Sequence, residues 1–234
     1  MISIIVPTYN CQNLIGGTLD SIFKQENCVF EVLIMDSCST DKTTTIAKQY
    51  NIKSFIEKDN GIYDAYNKGV ERSNYDWVMF MGAGDKLINK KILNLLLKEV
   101  DFNTKIVNGF TAYQNHEGVF TDQLDFFDLS KGMPFCHQSA IFHKSLFKES
   151  KFDLNYKYAS DYDHLVKSRL LKTQIKNVNR FVCRYPLLGV SFLNQKNTHL
   201  EKNKIRFNHG LINSFTYFTS RILIEIYYGV KSML

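Results

Sequence analysis

Apolar runs that each end in a cluster of small or polar residues constrain this chain more than any other feature. Residues 2–6 form an apolar, β-branched run, broken only by Ser3, that stops at Pro7, with Thr8, Tyr9 and Asn10 as the loop beyond it. Residues 32–35 run into Asp36, Ser37, Cys38, Ser39, Thr40 and Asp41, and residues 77–81 close on Gly82, Ala83, Gly84 and Asp85. Between them, Leu14, Leu19, Ile22 and Phe23 recur at helical spacing. Asp41 or Thr40 can cap a helix reaching about Tyr50, a weaker strand covers 53–56, and Gly61 leads a helix to Glu71. Residues 87–100 look helical. Strands alternating with helices over the first hundred residues predict a Rossmann-like open parallel sheet. In such sheets ligands bind beyond the carboxyl ends of the strands, so the three polar clusters should meet in one crevice.

The pattern changes after residue 100. Residues 106–113 and 119–121 read as a hairpin with its turn over 115–118, residues 160–171 as a helix, and 181–184 as a strand. Residues 211–234 mix apolar and amphipathic character, with Arg221, Glu225 and Lys231 spacing them.

Composition excludes several classes. Three prolines and 44% hydrophobic residues leave no room for a disordered tract or flexible linker. A net charge of +6 permits nucleic acid, anionic lipid or phosphate ligands, but the cations are scattered lysines without an arginine-rich block, so nucleic acid is not expected. The five cysteines are spaced for neither zinc nor a disulfide framework, which favours a reducing cytoplasmic setting. No signal peptide and no uncharged apolar stretch of membrane-spanning length is visible.

Five clusters can carry chemistry. Asp36, at a strand end with Ser37, can accept from a base or ribose; the plainer reading is a helix cap, but Asp36 and Asp41 cannot both be that cap. The segment from Asn60 to Gly69 opens a helix whose N–H groups favour a diphosphate, and Asp64, Asn67 and Lys68 form one polar band. Gly84 and Asp85 make a narrow loop whose carboxylate can hold Mg²⁺ or Mn²⁺, or can simply cap a helix. Asp161 and Asp163 open a helix; two residues apart, they cannot share a face, so at most one is a general base. His137, among apolar neighbours, is either a core histidine or a donor to phosphate or sugar.

In order and spacing, these clusters resemble family 2 glycosyltransferases of the GT-A fold, closest to the branch that builds O-antigen, capsule and exopolysaccharide. The resemblance covers roughly residues 1–190. It implies an α/β fold with a Rossmann-like open mixed sheet flanked by helices and a helical C-terminal tail. It also implies a nucleotide-sugar-binding half over 1–100, an acceptor-binding half over 101–200 and the tail over 201–234. Pro7, Thr8, Tyr9 and Asn10 then belong to the nucleobase-binding strand end, and Asp36 to the acid that contacts the base. Asn67 approaches the diphosphate, Asp85 is the last acid of a metal-binding Asp-x-Asp, and Asp161 is the base of an inverting transfer, with UDP the commonest nucleotide. The sequence departs from that pattern at Ala83, where the first acid of Asp-x-Asp is missing. The Gln-x-x-Arg-Trp motif of processive synthases is absent too, so one sugar is moved at a time.

The acceptor implied is a surface-glycan hydroxyl, with a polyprenyl-diphosphate-linked precursor as one form. Residues 207–234 are apolar enough to pack on the core, form a homodimer contact, or lie on a membrane, where Lys196, Lys202, Lys204, Arg206 and Arg221 would suit anionic lipid heads. Among rival classes, an NAD enzyme lacks its Gly-x-Gly-x-x-Gly and a nucleotidyltransferase its early glycine-rich loop. A catalytically inactive nucleotide-sugar or glycan-binding module remains the alternative, on the strength of Ala83.

Overall fold

The computed structural model describes residues 1–115, 118–120, 128–186 and 190–232. The first half runs β1 (Ile2–Thr8), α1 (Gln12–Phe23), β2 (Phe30–Asp36), α2 (Thr43–Lys48), β3 (Lys53–Ile56), α3 (Ile62–Arg72) and β4 (Trp77–Phe80). The second continues with β5 (Lys86–Leu87), α4 (Ile92–Lys98), β6 (Ile106–Asn115), β7 (Gly118–Phe120), β8 (Ala140–His143), α5 (Leu146–Glu149) and α6 (Ser160–Ser168). It ends with β9 (Ile175–Pro186), α7 (Val190–Leu193), α8 (Gln195–Asn208) and α9 (Ser214–Lys231).

Ile2, Ile4 and Val6 point from β1 to one face of the sheet, where Ile15, Leu19 and Ile22 of α1 cover them. Ile5 points to the other face and meets Tyr63, Tyr66 and Val70 of α3. Burial on both faces is why the run is apolar without alternation. Gly69 of α3 lies against Ile5 so closely that an added Cβ would sit 2.3 Å from its Cγ2. A helix can approach β1 this closely only with glycine at that point.

The strands lie in the order β3-β2-β1-β4-β8-β6-β9-β5, with β7 paired to β6. β3, β2, β1 and β4 are parallel, β8 runs antiparallel to β4, and β6 is antiparallel to β8 but parallel to β9. The sheet is therefore mixed and open, with helices on both faces, as the resemblance implied.

Several boundaries differ from the sequence reading. β1 continues through Pro7 to Thr8, still in register with β2. Its pairing with β4 ends at Ile5, whose carbonyl accepts from Met81 N, so the missing N–H of Pro7 faces a side where the ladder has already stopped. The helix expected over 87–100 begins only at Ile92. Before it, β5 pairs with β9, and the Gln25 side chain donates to Asn89 O while accepting from Leu93 N, which holds the intervening turn. α6 stops at Ser168 because Arg169 is left-handed at φ 45°. β9 is far longer than 181–184; its exposed polar positions hide an alternation carried by buried Val178 and Val182. α8 buries only Thr198, Asn203 and Ile205, which is why no apolar pattern announced it. Leu14 and Phe23 are exposed and do not belong to the core face of α1. The hairpin is present as β6 and β7; its turn residues 116–117, and Thr121, lie outside the described residues, as do residues 233–234 of the tail.

Candidate active site

The carboxyl ends of β1, β2 and β4 open into a cleft of about 1620 Å³. Pro7, Thr8, Tyr9, Asn10, Ser37, Asp85, His137 and Asp161, all expected at a site, line it together. Asp36, Asp64, Asn67 and Gly84 do not.

Asp36 lies behind the wall. It is buried and accepts from Thr8 Oγ1 at 2.7 Å, Ser39 Oγ at 2.6 Å and Ser39 N at 2.8 Å. Its carboxylate thus ties the β1 loop to the β2 loop. Asn10, left-handed at φ 46°, makes a second tie: its N donates to Ser39 Oγ and its Oδ1 accepts from Thr40 N at 2.9 Å. Asp41 completes the set by accepting from Gln12 N and Thr43 N. Between these anchored loops Tyr9 stands 66% exposed, an unencumbered aromatic face at the cleft edge.

Asp85 forms the floor. It is buried, accepts from Gly82 N at 2.6 Å, and burial raises its carboxyl to about 7. Gly84 shapes this loop: φ is 108°, its N donates to Thr18 Oγ1, and an added Cβ would meet Pro186 at 3.2 Å. Beside Asp85 lie two buried polar atoms, Tyr66 Oη and His137 Nε2, with no hydrogen-bond partner among the described residues. His137 stacks on Phe80, with ring centroids 4.6 Å apart, and burial holds its imidazole down near 4. It is therefore neutral at neutral pH and carries one ring N–H to donate.

Asp161 stands half-buried on the opposite wall, at the first turn of α6. Tyr63 Oη donates to its Oδ1 at 3.0 Å, as does Tyr162 N at 2.9 Å. Asp163 points the other way; it is buried, paired with His209 at 2.8 Å and Lys167 at 2.7 Å, and takes no part in the cleft. Asp64 is bound to Lys68 at 3.1 Å, and the amide of Asn67 closes on the backbone of Phe152.

Sequence reasoning missed one wall entirely. α8 and α9 fold back over the cleft and contribute His199, Lys202, Arg206, Leu223 and Tyr227, joined by Lys157 and Tyr158 from the loop before α6. Lys202 and Arg206, two of the cations expected to suit anionic lipid heads, line the cleft. Lys196, from the same group, pairs with Glu225 at 2.6 Å and fastens α8 to α9. The Lys202 and Arg206 spacing of one helical turn was the available signal, but without α8 it could not be aimed.

The profile of Glycosyl transferase family 2 matches residues 3–164. The chain belongs to that family. It is a glycosyltransferase of GT-A fold. A PGL/p-HBAD biosynthesis glycosyltransferase of Mycobacterium tuberculosis is 28% identical over 176 residues, spanning 71% of this chain and 69% of the relative. TuaG of Bacillus subtilis, named for teichuronic acid biosynthesis, is 33% identical over 121 residues, 48% of this chain and 46% of its own. In fold, the chain matches glucosyl-3-phosphoglycerate synthase of M. tuberculosis, solved with Mn²⁺, UDP and glucosyl-3-phosphoglycerate. The TM-score is 0.66 at 17% identity, covering 92% of this chain and 81% of that one. No helix among the described residues is long and apolar enough to cross a membrane.

Proposed function

We propose that this glycosyltransferase moves one sugar from a nucleotide-diphosphate donor, a UDP-sugar, to a hydroxyl of a bacterial surface-glycan precursor, with inversion at the anomeric carbon. The observation that carries this reading is the position of Asp161: a carboxylate lining the same cleft as Asp85, on a helix whose other first-turn acid, Asp163, is buried against Lys167 and His209. Asp161 takes the proton of the acceptor hydroxyl as its oxygen attacks the anomeric carbon from the face opposite the diphosphate. Tyr9 covers the base, on a rim that the Asn10, Ser39 and Asp36 hydrogen bonds hold in place. Neutral His137 and Tyr66 line the cleft, and each has a buried polar atom without a partner among the described residues, which suits them to donate to donor oxygens.

A divalent cation, Mg²⁺ or Mn²⁺, fits this floor in a limited way. Among the described residues no group of three metal-ligating side chains exists, and Asp85 is the carboxylate of the Gly82–Asp85 loop in the cleft. Burial raises its carboxyl to about 7, which a bound cation would oppose. Asp85 would hold such a cation, with Ala83 offering no second acid. When bound it would offset the charge of the departing diphosphate. Ala83 removes the second acid, so cation and nucleotide should bind as one unit.

The acceptor side is cationic. Lys157, Lys202 and Arg206 line it without a carboxylate partner among the described residues, which supports a phosphate-bearing acceptor such as a polyprenyl-diphosphate-linked precursor. α9 supports the same picture: Phe215, Phe218, Ile222, Ile226 and Val230 are each more than half exposed along one side of it, the pattern of an interfacial helix on an anionic membrane. A second copy covering that face in a homodimer is the competing use of it.

The test is a thermal-shift screen of UDP-, dTDP- and GDP-sugars with Mn²⁺. A ligand that binds only the native state raises its midpoint, so stabilisation by a UDP-sugar is expected. No shift with any nucleotide sugar would refute the reading.

A further inference from the structure

The segment running from Asp59 to Gly69 lies beside the cleft, yet its polar side chains are not free for a diphosphate. Asp59 Oδ1 accepts from Gly61 N, and Asp64 accepts from Asn60 N and pairs with Lys68, which together fix the start of α3. Asn67 Nδ2 donates to Phe152 O and its Oδ1 accepts from Phe152 N, both at 2.9 Å. The next carbonyl, that of Asp153, accepts from Ser160 Oγ at 2.9 Å, and Ser160 is the first residue of α6. α3 is thereby fastened to the start of α6 through residues 152–153. Tyr63 completes the bracket from within, its ring buried against Phe152 and Tyr66 and its hydroxyl on Asp161.

Both hydrogen bonds to Asp161 fall on Oδ1, from Tyr63 Oη and Tyr162 N. Oδ2 accepts from no described residue. We propose that Tyr63 is the positioning residue for Asp161: its hydroxyl fixes the carboxylate so that Oδ2 meets the acceptor hydroxyl, while Asn67 sets the spacing between α3 and α6. The proposal rests on the assignment of Asp161 as base. Burial and the nearby Asp161 charge push the Tyr63 hydroxyl well above its ordinary range, so it remains a donor at every working pH.

The test is the steady-state kinetics of UDP-sugar hydrolysis, with water as acceptor and Mn²⁺ present, for wild type, Tyr63→Phe and Asp161→Asn. Tyr63→Phe retains the buried ring and is expected to melt within a few degrees of wild type, with kcat about tenfold lower and donor KM unchanged. An unchanged kcat alongside an inactive Asp161→Asn would overturn the role of Tyr63 alone. A fall in kcat accompanied by a raised donor KM and a lowered melting point would also overturn it, since that is what a structural tyrosine gives. Wild-type turnover by Asp161→Asn would instead remove the base assignment beneath it.

Discussion

Asp163 Oδ1 lies 2.8 Å from His209 Nε2, which joins the first turn of α6 to the loop after α8. The same carboxylate reaches Lys167 at 2.7 Å, and its side chain is 1% exposed. Asp161, two residues earlier, faces the cleft. The two acids of one helical turn are therefore divided between the interior and the cleft. Asp163→Ala leaves Lys167 with Asp153 alone, removes the partner of His209 Nε2, and is expected to cost about 1–2 kcal/mol of stability. Urea unfolding measures this directly, and an unchanged midpoint would show the pair to be idle.

Asp85 gives stability a pH signature. Burial raises its carboxyl to about 7, whereas an unfolded aspartate ionises near pH 4. Between those values the unfolded chain releases a proton that the folded chain keeps, so stability from this group is full below about pH 4 and is lost as pH rises to about 7. The full effect is at most about 4 kcal/mol. Asp85→Asn removes the titration, and its stability relative to wild type is expected to grow between pH 5 and pH 8. Denaturant melts at those two pH values decide it; a constant difference would mean that the carboxylate is not desolvated.

The first half of the fold was legible because β1, β2 and β4 are buried on both faces, and continuous apolar runs have few other uses. The loops at their ends were legible as a group, but individual roles were not. Asp36 and Asn67 looked like ligand contacts because an acid at a strand end and an amide on a helix have many uses; only geometry reveals that Thr8, Ser39 and Phe152 already occupy them. Tyr63 was invisible for the opposite reason, since an aromatic at helical spacing reads as core. α8 and its cleft cations could not be placed because that helix buries almost nothing apolar.

A cation site with one protein carboxylate makes a prediction about order. Mn²⁺ alone is expected to leave the melting point unmoved, and Mn²⁺ with UDP to raise it well beyond UDP alone. Asp85→Asn should abolish that extra rise. Stabilisation by Mn²⁺ without nucleotide would contradict the arrangement.

The exposed side of α9 is expected to bind vesicles containing phosphatidylglycerol in flotation, with binding lost when Phe218, Ile222 and Ile226 become serine. These side chains are 58–59% exposed, so the changes should leave the fold intact. Retained flotation by the triple variant would separate α9 from any membrane, and a wild-type dimer that the variant dissolves would assign the face to a second copy.

Release of UDP from UDP-sugars by wild type and Asp161→Asn, with UDP affinity measured on both, bears most directly on the central claim. A general base of this kind contributes about 10²–10⁴-fold, so turnover is expected to fall by at least about a hundredfold while UDP binds as before. Turnover by Asp161→Asn close to wild type would contradict it.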